Sequence, residues 1–191
     1  DTARLIGQAF GTYLRGEGRR EAVVGHDNRH SSRGLADAAI EGLMAAGCAV
    51  TDIGLVATPV VYWSAVEAGN IGGMMITGSH LKPQMNGFKL SIGMRNLHGD
   101  QIQALRLMIE RGDLAVGEGY AEVDDSANER YLAMVERRLD HARPLKIVID
   151  AGNGMAGMTT PAVLGSAAGL ALPPVEVIPL YFELDGTFPN H

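Results

Sequence analysis

Short apolar runs alternate along this chain with stretches of helical periodicity, and glycine or proline marks most of the joints between them. Ala22-Val23-Val24-Gly25, Cys48 to Ile53 and Ile71 to Thr77 read as buried strands, and Phe88 to Ile92 as a fourth. Before the first strand, Leu5, Ile6, Ala9, Phe10 and Tyr13 recur at the spacing of an amphipathic helix. After it, Ser31 or Ser32 is placed to cap a helix through Leu35, Ala39, Leu43 and Ala46 that stops at Gly47. Thr58 is expected as the N-cap of a third helix, with Pro59 at its first position and Gly69 at its end. Strands and helices in this alternation predict an α/β fold, a mixed but mainly parallel sheet sandwiched between helices. The 25 glycines suit the many tight turns such a fold needs.

Further on, Asp100 is expected to cap a helix carrying Ile102, Leu105, Met108 and Ile109 on one face, with Gly112 at its end. Leu114 to Asp125 is acidic and aperiodic and reads as a loop. A longer helix is expected from Ala127 to His141, broken at Arg143-Pro144. A new unit then starts with a strand from Lys146 to Asp150, the turn Ala151-Gly152-Asn153-Gly154, a helix near Thr160-Pro161 and a strand from Val175 to Leu180. This places a domain boundary near Pro144, with residues 1–143 as one domain and 144–191 as an incomplete second α/β domain, too short to close a core alone. With no initiator methionine and an abrupt stop at Pro189-Asn190-His191, both ends are expected to be cut from something longer.

Composition excludes several classes of function. The net charge is -6 and no basic cluster stands out, which argues against nucleic acid as a partner. No apolar run approaches the ~20 residues of a membrane helix, and no secretory signal opens the chain. The single cysteine, Cys48, lies among apolar neighbours and is expected to be buried and reduced, as in a cytoplasmic protein.

The chemistry concentrates after the third strand. Thr77-Gly78-Ser79-His80, followed by Asn86-Gly87-Phe88-Lys89, puts a hydroxyl, an imidazole, an amide and an ammonium on one short segment. A serine hydroxyl is a weak nucleophile unless a base, a metal or phosphorylation changes it. His80 is adjacent, and neighbours on extended backbone point to opposite sides, so it is badly placed as the base for Ser79. A hydrolase elbow would also need a second glycine after His80. A covalent phosphate carrier fits better, with His80 and Lys89 stabilising phosphate charge or moving a proton. Asn86-Gly87 has an ordinary reading as a turn, Asp27 and Arg29 as a turn-stabilising ion pair, and Gly152-Asn153-Gly154 as a tight turn into a helix. A dinucleotide-binding fold would want a Gly-x-Gly-x-x-Gly turn after the first strand, which Gly25-His26-Asp27 does not supply.

At these residues the chain resembles the α-D-phosphohexomutase family, whose motif is Thr-(Ala/Gly)-Ser-His-Asn-Pro, three variable residues, then Asn-Gly-x-Lys. Gly25-His26-Asp27-Asn28-Arg29 is similar to the family's Gly-x-Asp-x-Arg turn, and Asp52 to Pro59 to its Asp-x-Gly-x-x-x-Thr-Pro element. Asp150 to Gly154 and Asp185 to His191 match turns of its second domain. The resemblance implies a mutase that interconverts hexose 1-phosphate and hexose 6-phosphate through a bisphosphate intermediate. Ser79 would carry the phosphoryl group, Lys89 and His80 would serve proton transfer, and Lys89, Asn86 and Arg29 would contact substrate. A phosphate oxygen on Ser79 would join the coordination sphere of Mg²⁺, whose other ligands would lie beyond His191, so the chain alone is expected to be inactive. Thr-Gly-Ser-His leans toward phosphomannomutase/phosphoglucomutase over phosphoglucosamine mutase, and a monomer or dimer is implied. Leu81-Lys82 departs from the family's Asn-Pro, which leaves a non-catalytic, pseudoenzyme-like relative as the other reading.

Overall fold

A computed structural model of the chain describes residues 1–138, 144–164 and 175–190. Helix α1 (Thr2–Gly16) leads into strand β1 (Glu21–His26), followed by α2 (Ser32–Ala45), β2 (Ala49–Leu55), α3 (Thr58–Glu67) and β3 (Gly72–Ile76). An antiparallel return, β4 (Phe88–Ile92), is followed by the short β5 (Arg95–Asn96), α4 (Asp100–Arg111), β6 (Tyr120–Val123) and α5 (Ala127–Glu136). These strands form one sheet in the order β5-β4-β3-β1-β2-β6. β3, β1, β2 and β6 run parallel to one another, while β4 is antiparallel to both β3 and β5. The mixed, mainly parallel sheet expected from the alternation of elements is therefore present. A separate parallel pair, β7 (Leu145–Asp150) and β8 (Val175–Leu180), flanks α6 (Ala156–Leu164) in sequence.

The period-two alternation of a strand decides which helices cover which face. Val24, Met74 and Ile76 point to the side where Phe10 and Leu14 of α1 and Leu43 of α2 pack. Val23 and Met75 point to the other, against Val60, Val61 and Ala65 of α3. Buried on both faces, the central strands carry the continuous apolar runs seen in the sequence. α1 and α2 cross at glycines: a Cβ on Gly7 would lie 2.1 Å from the Ala39 carbonyl oxygen, and one on Gly42 2.0 Å from that of Arg4. Cys48 is buried beneath this crossing. Burial pushes its thiol above the ordinary value, against the opposing pull of Arg15 and Arg20.

Three expectations need correction. Residues 114–125 were expected as a loop, yet β6 extends the sheet beside β2 with Ala49 opposite Tyr120 and Asp52 opposite Val123. All its residues are exposed, so the strand rests on backbone pairing at a sheet edge and has no apolar alternation to betray it. Thr58 and Asp100 are the first residues of their helices and not caps, the cap positions falling on Ala57 and on Gly99, whose φ is 51°. The helix expected near Thr160-Pro161 is present as α6, which holds the proline inside it. α5 ends at Glu136, with Arg137 at its C-cap and Arg138 in a turn, short of the expected His141; residues 139–143, with the expected break at Arg143, lie outside the described residues.

Candidate active site

Parallel pairing of β1 and β3 sets His26 beside Ile76. The residues that follow each strand, Asp27 and Thr77, therefore meet at the carboxyl end of the sheet. Asp27 donates its backbone N–H to the Ile76 carbonyl (3.0 Å), which prolongs the ladder by one step. Its side chain is buried and collects donors: the Thr77 hydroxyl at 2.7 Å, the Ser32 hydroxyl, and the backbone N–H of Arg29 at 3.1 Å. A carboxylate shut away from water needs such partners, and here two come from the turn after β1 and one from the end of β3.

The loop from Gly78 to Gly87 closes at its neck, where the Thr77 N–H donates to the Gly87 carbonyl at 3.0 Å, and then opens outward. Ser79 has φ +48°, in the left-handed region that non-glycine residues enter at a cost of about 1–3 kcal/mol. Both its peptide groups are held there. Its N–H donates to Thr77 Oγ1 at 3.0 Å, and its carbonyl accepts from Arg29 Nη2 at 3.2 Å. The side chain is left exposed, with that of His80 next to it. Strain at one residue, fixed on both sides, with a free hydroxyl at the end of a parallel strand, is a geometry for presenting that hydroxyl to a ligand.

Arg29 lies beneath the loop. Nη1 donates to the carbonyls of Lys82 (2.8 Å) and Met85 (3.1 Å), and Nη2 also reaches that of Leu81 (2.9 Å). Nε stands 3.3 Å from Asp27 Oδ2, close enough for an ion pair but too poorly directed for a hydrogen bond. The expected ion pair is thus present, but most of the donors go to loop carbonyls. Asn86 is likewise turned inward: Nδ2 donates to the hydroxyls of Ser31 (2.9 Å) and Ser32 (2.8 Å), and Oδ1 accepts from the Gly87 N–H (2.9 Å). Arg29 and Asn86, read from the sequence as substrate contacts, spend these groups on holding the loop. Lys89 follows on β4 opposite Met75, half-buried, and forms no ion pair among the described residues.

The sequence reading missed Thr77 Oγ1 and Ser32 as the groups that tie the loop to Asp27. For Thr77 the signal was position, since a polar residue directly after each of two adjacent parallel strands will meet the other; Ser32, the first residue of α2, gave none. Among the described residues no three His, Cys, Asp or Glu side chains gather as a metal site. A cleft at the turn after β1 is lined by His26, Asp27, His30, Leu55, Glu183 and Asp185. His26 Nδ1 lies 2.8 Å from the Asp27 carbonyl and must donate to it, which fixes the tautomer of the ring.

Residues 1–114 match the family model described as phosphoglucomutase/phosphomannomutase, alpha/beta/alpha domain I, and residues 129–191 match its domain II. A phosphomannomutase/phosphoglucomutase of Pseudomonas aeruginosa is 42% identical over 191 residues, and a phosphoglucomutase of Neisseria meningitidis 33% identical over 192. Each alignment takes in 100% of this chain and 40% of the relative, so the chain spans about 40% of the length of these curated relatives. The crystal structure of a phosphoglucomutase/phosphomannomutase family protein from Burkholderia thailandensis superposes with a TM-score of 0.89 at 38% identity, over 100% of this chain and 42% of that one.

Proposed function

The chain belongs to the phosphoglucomutase/phosphomannomutase family, and from that premise we propose that it is the phosphoserine-bearing part of a mutase interconverting hexose 1-phosphates and hexose 6-phosphates. The supporting observation is Ser79, an exposed hydroxyl on a strained residue whose N–H and carbonyl are both pinned.

In the forward half-reaction a sugar hydroxyl attacks the phosphorus carried on Ser79. The new P–O bond to the sugar forms as the bond to Ser79 Oγ breaks, the sugar hydroxyl gives up its proton to a side chain of the site, and Ser79 Oγ takes up a proton to leave as the free hydroxyl. Lys89 and His80 are the groups of this chain assigned to that transfer. The bisphosphate then reverses its orientation and returns its other phosphoryl group to Ser79. Arg29, Asn86, Thr77 and Asp27 take part by keeping Ser79 in one place, since a phosphoryl transfer depends almost wholly on positioning and charge. Mg²⁺ would take a phosphate oxygen of Ser79 as its ligand from this chain. When bound it would neutralise charge on the phosphoryl group. The described residues do not gather its remaining ligands.

The same reading divides the chain near Pro144, with 1–143 as the serine-bearing domain and the rest as the start of a second, in keeping with the separate pairing of β7 and β8. No described helix is long and apolar enough to cross a membrane, and a cytoplasmic setting for the buried thiol of Cys48 is part of the proposal. Substituting Ser79→Ala in the full-length protein is expected to lower glucose 1-phosphate and mannose 1-phosphate turnover by at least about 10³-fold, the scale of losing a covalent nucleophile. Turnover within a factor of a few of the parent would overturn the assignment.

A further inference from the structure

The geometry points to Arg29 as a two-sided brace through which Phe188 of the second domain sets the conformation of the Ser79 loop. One side of the brace is the carbonyl grip already described. Gly78 packs so closely on it that a Cβ there would sit 2.5 Å from Arg29 Cζ. The other side is aromatic: Arg29 Cζ lies 5.0 Å from the centroid of the Phe188 ring, within cation–π range. The guanidinium is buried, and its charge faces four carbonyl oxygens, the Asp27 carboxylate and this ring. Loop and ring therefore compete for one position of one rigid group.

Phe188 is itself fixed. Its N–H donates to the Asp185 carbonyl at 3.0 Å, and Asp185 Oδ1 accepts from the Thr187 N–H (2.8 Å) and hydroxyl (2.7 Å), a tight turn with Phe188 at φ 50°. That turn is pressed onto the turn after β1. A Cβ on Gly186 would lie 2.6 Å from the Asn28 carbonyl oxygen. Asn28 Nδ2 donates to the Asn153 carbonyl at 2.9 Å, and Asn153 is buried, with Nδ2 bonded to Glu183 and Oδ1 accepting from Asn190. The seat of the second domain thus sits directly under the residue that holds Ser79. A shift of that seat moves Arg29, and Arg29 has no slack to absorb it. The consequence for catalysis rests on the function proposed above, whereas the mechanical coupling does not.

Amide exchange on the full-length protein tests the coupling. Phe188→Leu keeps apolar bulk and removes the π face. It is expected to speed exchange across residues 78–87 about fivefold, the size of one exposed-to-desolvated cation–π contact, with β1 and β3 unchanged. Phe188→Tyr, which keeps the ring, restores the parent rate. In an Arg29→Lys background, where the fork is already lost, Phe188→Leu adds no further change. Unchanged loop exchange in Phe188→Leu, no rescue by tyrosine, additive effects in the double variant, or an equal rise through β1 and β3 would each overturn the brace. Phosphate on Ser79 and mutase turnover are read on the same samples. If the parent lacks both, the proposed function fails while the coupling is judged on exchange alone.

Discussion

Ser79 can be found from its neighbours in sequence, but the reason it holds its conformation cannot. The Thr77-Gly78-Ser79-His80 motif marks the residue, while the groups that fix it, Asp27, Arg29 and Ser32, come from a turn some fifty positions earlier. Arg29 acts on carbonyl oxygens, which every residue has and no sequence displays. That is why Arg29 reads on paper as a turn ion pair or, through the family resemblance, as a substrate contact, while its hold on the loop carbonyls shows only in the fold. Thr77→Val isolates the point. It keeps the shape but leaves the Ser79 N–H without its acceptor and one oxygen of buried Asp27 without a donor. An expected loss of about 1–3 kcal/mol in stability would accompany a drop in turnover of roughly tenfold or more from misplacement of Ser79. Denaturant unfolding and steady-state kinetics measure the two, and parent-like values for both would mean the Asp27–Thr77 contact does not position the loop.

Among the elements, those that bury an apolar face were legible and those held by backbone alone were not. β1 and β3 announce themselves because both faces are covered, whereas β6 is exposed throughout and is recognised only by its pairing with β2. The crossing of α1 and α2 depends on glycines the sequence does not distinguish from turn formers. Gly42→Ala forces a methyl onto the Arg4 carbonyl, and a destabilisation of about 1–3 kcal/mol, seen as a lower melting temperature, is expected from overpacking. α5 is fastened differently: Arg130 bridges Asp124 (2.9 Å) and Glu67 (3.3 Å), and Trp63 of α3 meets Tyr131 edge to face. Arg130, with help from the Ser126 hydroxyl and N–H and against some burial, holds the Asp124 carboxyl down at about 2. Its folded value lies below its unfolded one of ~3.9. The stabilisation is therefore complete above that value and is lost as pH falls through about 2. An Asp124→Asn variant should lose less stability than the parent between pH 4 and 2, and equal slopes would remove the bridge from the account of α5.

For the molecule as a whole, the sequence carried the order of its units further than their contact. Motifs from Gly25 to Asn190 announce two α/β units, but nothing in them announces that the Asp185–Phe188 turn lands on Asn28 and Arg29. Contacts between units are set by surfaces that each unit must first fold to create. The allegiance of α5 is of the same kind. It packs against both α3 and α6, and the match to the second domain begins at residue 129, inside the helix. The chain spans about 40% of the length of its relatives; on the function proposed above it would supply the phosphate carrier, and residues 1–191 alone are expected to show no mutase turnover. Whether it carries phosphate can be read without any turnover at all. Intact-mass analysis of the full-length protein from cells, with peptide mapping, should find one phosphoryl group on Ser79, lost on incubation with hexose monophosphate lacking a second phosphate and regained from the bisphosphate. An unmodified Ser79 in a protein that converts glucose 1-phosphate at full rate would contradict it.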